Sequence, residues 1–146
     1  ITGFPGETQA AFDELAAFVQ DQQFERLGVF TYSREEDTPS DRLDGHLPPD
    51  LQEQRRQQIM EIQQGIVFAA KDAAIGQTRD VIVDRPVPGE SSAWIGRSAA
   101  DAPDVDGLVF VTENAEHRLA PGAITACEMV AAQQYDLVGV AVGSPR

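Results

Sequence analysis

One cysteine, one lysine, one tryptophan and two histidines in 146 residues make this a sequence with few chemically reactive side chains. A single Cys127 excludes a disulfide framework, a CxxC zinc site and an internal set of thiolates for an iron–sulfur cluster. Among Ala126, Glu128 and apolar neighbours, that thiol reads as a small buried residue before it reads as a nucleophile. Ten of the eleven basic residues are arginine, and no basic run exists, so the electrostatic footprint of non-specific nucleic-acid binding is missing. No apolar stretch approaches the ~18–20 residues that cross a bilayer. A charged-then-apolar leader is also lacking, and a cytoplasmic location is the expectation.

What is abundant is negative charge. Eleven basic residues face twenty-four acidic ones, for a formal net charge of −13. Such a surface favours solubility or a basic partner. Hydrophobic residues make up 42%, seven of them Phe, which is enough for a packed core.

The chain opens without methionine, and Ile1-Thr2-Gly3 reads as the end of a strand begun upstream. The segment 3–8, Gly-Phe-Pro-Gly-Glu-Thr, is a turn, because proline presets φ and glycine permits the reversal. Thr8 is an N-cap residue for a helix ending at Gln22-Gln23, with Phe12, Leu15, Ala16 and Val19 on one stripe. Residues 27–32 follow as a short strand covered on both faces. Strand end, helix and strand compose a βαβ unit with parallel strands, one that cannot close a sheet alone. Polar, turn-rich sequence fills 33–49. A long helix then starts near Pro49 and fades near Ala73-Ala74, with Leu51, Ile59, Ile62, Ile66 and Ala69 on its buried face.

From residue 75 the period changes. Strand-like stretches at 78–84, 93–97, 108–112, 124–130 and 137–140 are separated by Pro/Gly/Asp turns, which predicts a small all-β barrel or sandwich. We therefore divide the chain at 1–74 and 75–146. Both parts are acidic, six basic residues against fourteen acidic in the first and five against ten in the second.

Candidate chemistry is sparse. His46 and His117 fall in no triad or metal spacing and read as surface histidines, and the carboxylates show no acid/base pair. Glu35-Glu36-Asp37 is a solvated loop or a receptor for a basic peptide. The turn at 3–8 stands at a strand end and a helix start, where α/β folds bind ligands, although any tight βα turn needs the same residues.

Four segments add a resemblance. Residues 1–8 with Phe12 look like the GFPGET segment of the radical-SAM methylthiotransferases, and residues 30–39 resemble their FTYSREEGTP segment, with Asp37 in place of glycine. Residues 96–107 are similar to the GRSYADAPEIDG stretch of the TRAM domain, with Ala99 in place of an aromatic residue, and 135–139 match its closing YDLVG. The SREE and ADAPEIDG-like stretches resemble the RimO branch, which modifies an aspartate of a small-subunit ribosomal protein. The tRNA-modifying branch carries an Arg-Pro-Gly-Thr loop and a more basic TRAM domain.

The resemblance implies a fold of α/β plus all-β class. Residues 1–74 would be the C-terminal part of a radical-SAM, TIM-like barrel with a linker helix. Residues 75–146 would be a five-stranded antiparallel TRAM β-barrel. It implies S-adenosyl-L-methionine and two 4Fe-4S clusters in the whole enzyme, with every cluster cysteine upstream, so that this piece alone is inactive and holds no catalytic or metal-ligating residue. Gly3, Phe4, Pro5, Gly6, Glu7, Tyr32 and Ser33 would bind cofactor; for Tyr32, packing at the barrel rim is an equal reading. Arg34, Arg97, Asp101, Asp104 and Asp106 would dock a basic small-subunit ribosomal protein; for Arg97 and the 101–106 loop the alternative is packing against the barrel. A tRNA methylthiotransferase and a non-enzymatic acidic binding module are the competing readings. The negative charge weighs against tRNA, and no membrane partner is expected.

Overall fold

The computed structural model describes every residue except 114, 115 and 117, so His117 lies outside the described residues. Two compact units divide the chain at Ile1–Val67 and Phe68–Arg146. The elements are α1 (Gln9–Gln22), a 3-10 turn (Ser40–Arg42), α2 (Pro49–Asp72), β1 (Thr78–Pro86), β2 (Ala93–Ser98), β3 (Val109–Thr112), β4 (Ile124–Gln133) and β5 (Asp136–Ala141).

In the first unit, Thr8 caps α1 by accepting the Ala11 amide at 3.2 Å, and Gln23 ends the helix in a left-handed conformation with φ 50°. Phe12 and Val19 of α1 bury against Ile59 and Ile66 of α2, flanked by Leu15, Phe24, Leu27, Val29 and Ile62. The stripe on α2 differs from the expected one. Ala69 is exposed, while Arg55 and Gln63, one helical turn to either side of Ile59, are buried. Gln63 Nε2 donates to the Phe24 carbonyl at 2.6 Å, which satisfies the amide that burial would otherwise strand.

The strand expected at 27–32 is reduced to a single parallel bridge, Thr2 with Thr31. The Thr2 amide donates to the Phe30 carbonyl at 2.9 Å and the Tyr32 amide to the Thr2 carbonyl at 2.8 Å. Direction and connection are those of a βαβ unit, but Leu27 and Val29 pack into the helical core, leaving no longer ladder. A radical-SAM barrel sheet is absent among the described residues of 1–74.

The second unit is a closed barrel in the order β1-β2-β3-β5-β4, with β4 pairing back onto β1. All neighbours are antiparallel except β3 and β5, which run parallel. This corrects the wholly antiparallel barrel expected from sequence, for a geometric reason. Directions cannot alternate all the way round a ring with an odd number of strands, so one neighbouring pair must be parallel. Val81, Val83, Val109, Val111, Cys127, Met129, Leu137 and Ala141 alternate inward and fill the interior, with Trp94 packed against them. Closure leaves no free sheet edge. Among the described residues, no helix is long and apolar enough to cross a membrane.

Candidate functional site

The turn at 3–7 is built around two glycines and one carboxylate. Gly3 adopts φ +76°, and a Cβ there would collide with Gln52 Cγ, so both backbone conformation and close packing demand glycine. The Glu7 amide closes the turn on the Phe4 carbonyl at 2.9 Å, and the Gly6 amide donates to the Gly45 carbonyl at 2.9 Å. Glu7 folds back over the turn. Its Oε2 accepts the Gly3 amide at 3.1 Å, and its Oε1 lies 2.6 Å from Arg55 Nη1. Pro5 is buried, whereas Phe4 is 45% exposed.

Tyr32 joins this group. Its ring meets Phe4 edge-on at 5.3 Å and the His46 ring at 5.9 Å. The Tyr32 hydroxyl is buried without a hydrogen-bond partner among the described residues, which is rare for a buried polar atom. His46, read from sequence as a surface residue, is half-buried beside it, its Nε2 3.2 Å from the Asp41 carbonyl. Ser33 points away and donates to Glu35 Oε1 at 3.1 Å. Arg34 pairs with Asp41, and that carboxylate raises its pKa further. Asp37, where the resembled segment has glycine, takes φ +64°, a left-handed conformation that aspartate tolerates.

The docking residues expected in the second unit separate by burial. Arg97 Nε lies 3.4 Å from Asp84 Oδ1, and with Arg85, Pro103 and Asp104 they line a shallow cleft. Asp104 is exposed at φ +59°. Asp106 accepts the Ala102 amide at 2.7 Å and so shapes the loop. Asp101 is a correction. Its side chain is 2% exposed, its Oδ2 accepts the Ser98 amide and hydroxyl at 3.1 and 2.5 Å, and its Oδ1 lies 3.7 Å from Lys71 Nζ. A carboxylate turned inward in this way presents nothing to a partner. Ala99, where the resembled stretch has an aromatic residue, is exposed, so no buried packing is lost.

Four important side chains escaped the sequence reading: Gln52, Arg55, Lys71 and Glu113. Gln52 and Arg55 sit in polar-looking helix sequence and act on residues about fifty positions earlier. The spacing of Arg55 one turn before Ile59 was the only available signal. Glu113 is 8% exposed and accepts from Trp94 Nε1 at 3.0 Å, the Leu119 amide at 2.9 Å and Arg118 at 2.7 Å. The Leu119 amide, then Arg118, hold its carboxyl below the usual range, against an opposing push from burial.

Among the described residues, no group of three or more His, Cys, Asp or Glu side chains could hold a metal ion. Cys127 is fully buried in the barrel, and burial, with Asp80 adding, pushes its thiol up to about 11. Iron–sulfur ligation requires thiolates, so the residues of this chain do not fit a cluster.

Residues 75–142 match the family model of the TRAM domain. The chain is 39% identical to the ribosomal protein uS12 methylthiotransferase RimO of Desulfitobacterium hafniense (strain Y51), over 97% of this chain and 31% of that protein. It is 40% identical to the protein of that name from Syntrophus aciditrophicus (strain SB), over 99% of this chain and 32% of the relative. With the one from Koribacter versatilis (strain Ellin345), identity is 42% over 94% of this chain and 28% of the relative. The chain thus spans about a third of the length of the curated relatives it matches. The resemblance drawn from the four motifs is borne out.

Proposed function

We propose that this chain is the C-terminal portion of a radical-SAM methylthiotransferase of the RimO kind. The whole enzyme would install a methylthio group on the β-carbon of an aspartate in a small-subunit ribosomal protein, in the cytoplasm. Residues 1–74 would be the end of the catalytic barrel plus a linker helix, and 75–146 the TRAM domain. The observation that carries this reading is identity of about 40% to proteins so named along nearly the entire chain, on both sides of the residue where the TRAM match begins. The single parallel bridge flanking α1 supports the barrel part, as the remnant expected of a βαβ unit.

In this reading the turn at 3–7, with Tyr32, forms a wall of the S-adenosylmethionine site. The exposed Phe4 ring is the group open to a ligand, and the buried Tyr32 hydroxyl lacks a hydrogen-bond partner among the described residues. Glu7 supports the wall from behind, because both its oxygens already have protein partners. When bound, S-adenosylmethionine supplies the 5′-deoxyadenosyl radical and the methyl group, and the protein's part is to orient and shield. The clusters belong to sequence outside this chain, since the one thiol here is buried and protonated.

A basic ribosomal protein is the substrate that suits a net charge of −13, and Arg34, Arg97, Asp104 and Asp106 remain the docking residues of this reading. A salt titration of the chain's binding to a basic small-subunit ribosomal protein and to tRNA tests it. Binding to the protein that weakens with salt is expected, with no measurable tRNA affinity. Tight tRNA binding would transfer the chain to the tRNA-modifying branch, and binding of neither would remove the docking role.

A further inference from the structure

Helix α2 reaches back to the 3–7 turn with two side chains. Arg55 is 4% exposed, yet its guanidinium is almost fully engaged. Nη1 lies 2.6 Å from Glu7 Oε1 and donates to the Glu7 carbonyl at 3.1 Å, and Nη2 donates to Gln9 Oε1 at 3.3 Å. The guanidinium carbon stands 5.1 Å from the centre of the Phe12 ring. One turn earlier, Gln52 Nε2 donates to the Gly3 carbonyl at 3.1 Å. Glu7 passes the constraint on, since its second oxygen holds the Gly3 amide.

Stability alone does not account for this arrangement. A buried ion pair returns little over an apolar pair of similar volume, because both charges must leave water. Arg55 also keeps Nε buried without a hydrogen bond, a further cost. What the pair provides is direction. Two of the three Arg55 hydrogen bonds fix where Glu7 lies, the third ties Gln9 to the same plane, and Glu7 in turn holds the Gly3 amide. Lysine, with a single flexible ammonium, cannot reproduce that fork.

We infer that Arg55 is a positioning residue for the 3–7 turn, setting through Glu7 the backbone that faces the cofactor. This rests on the proposed reading of that turn as the S-adenosylmethionine wall, and its test separates the two. In the 146-residue chain, Arg55→Lys and Glu7→Gln are compared with wild type by residue-resolved amide exchange. The Gly3 amide is expected to exchange about tenfold faster in both, a factor of the size a lost charge-assisted hydrogen bond gives. The Val19 and Met129 amides, which report the first core and the barrel, keep their wild-type rates. A purely structural role would accelerate Val19 together with Gly3 and would overturn the inference, as would unchanged protection of Gly3. Should Arg55→Lys unfold the first unit, Glu7→Gln carries the comparison, because it keeps the shape and removes the charge.

The second readout is the full-length enzyme with its clusters. Arg55→Lys is expected to raise KM for S-adenosylmethionine about tenfold while kcat falls less, the pattern of lost uniform binding. Faster exchange at Gly3 with an unchanged KM would refute the link to the cofactor. A wild-type enzyme that does not bind S-adenosylmethionine would refute the proposed function instead, and the exchange rates would still decide the clamp.

Discussion

The Nζ of Lys71 stands 3.7 Å from Oδ1 of Asp101, with the two side chains only 11% and 2% exposed. The single lysine of the chain is thus spent on a buried ion pair between the last turn of α2 and the loop after β2. Asp101 completes its bonding with the Ser98 amide and hydroxyl, so the carboxylate is held from both sides.

Removing one partner of this pair strands the other in a low-dielectric setting. Lys71→Met is expected to destabilise the second unit by about 3 kcal/mol, read as a lower urea midpoint of the barrel transition. Asp101→Asn keeps the Ser98 contacts in shape and loses the charge, and is expected to cost less. A midpoint unchanged in both variants would show that the pair contributes nothing.

Glu113 gives the barrel an acid sensitivity. Its carboxyl is lowered in the folded chain by the Leu119 amide first and Arg118 second. A lowered folded pKa means that the unfolded chain takes up the proton more readily. The contribution is therefore present above the ordinary glutamate range and is lost as pH falls through the folded value. Glu113→Gln should flatten the acid limb of a stability–pH curve. If wild type and variant lose stability in parallel on acidification, the carboxylate is not the sensor.

Cys127 is expected to resist thiol reagents at neutral pH. Its thiol is fully buried and raised to about 11, so almost no thiolate exists and none is accessible. A disulfide reagent should label it only when urea unfolds the barrel, at a rate tracking unfolding. Rapid labelling of the native chain would contradict the packing described.

Two glycines predict opposite outcomes. A Cβ at Gly107 would overlap the Tyr135 carbonyl oxygen, so Gly107→Ala must displace the turn between β4 and β5. A loss of about 2–3 kcal/mol is expected, as for overpacked sites. Gly65 lies exposed in the middle of α2, where an added methyl group would meet nothing within 4 Å, and Gly65→Ala should stabilise by about 0.5–1 kcal/mol. Thermal melts of both variants decide the pair.

Much of the architecture was legible in the residues. Thr8 as cap, the start of α2 at Pro49 and all five strands of the second unit follow from local patterns, because capping, helical period and strand alternation are properties of neighbouring residues. The strand at 27–32 was misjudged because an apolar run of that length serves a ladder or a helix-packed loop equally well. Only its neighbours decide which. Ala69, expected on the buried face, lies exposed, and Arg55, outside the expected stripe, is buried, for a related reason: hydrophobicity ranks alanine inward, but a small side chain loses little by exposure, whereas an arginine with a carboxylate waiting can be buried.

The candidate site divides along the same line. Residue types at 3–7 and 96–107 and the acidic balance were determined by the sequence alone, since motif, turn chemistry and charge are written locally. Which of those residues face outward was decided by tertiary structure. Asp101 turns in to Lys71, Glu7 turns back to Arg55, and Tyr32 meets both Phe4 and His46, through partners between about fourteen and fifty residues away. The parallel β3–β5 pair belongs to this second class too, for it arises only when five strands close into a ring. A side chain's role depends on what desolvates and pairs it, and those neighbours are brought together by the fold.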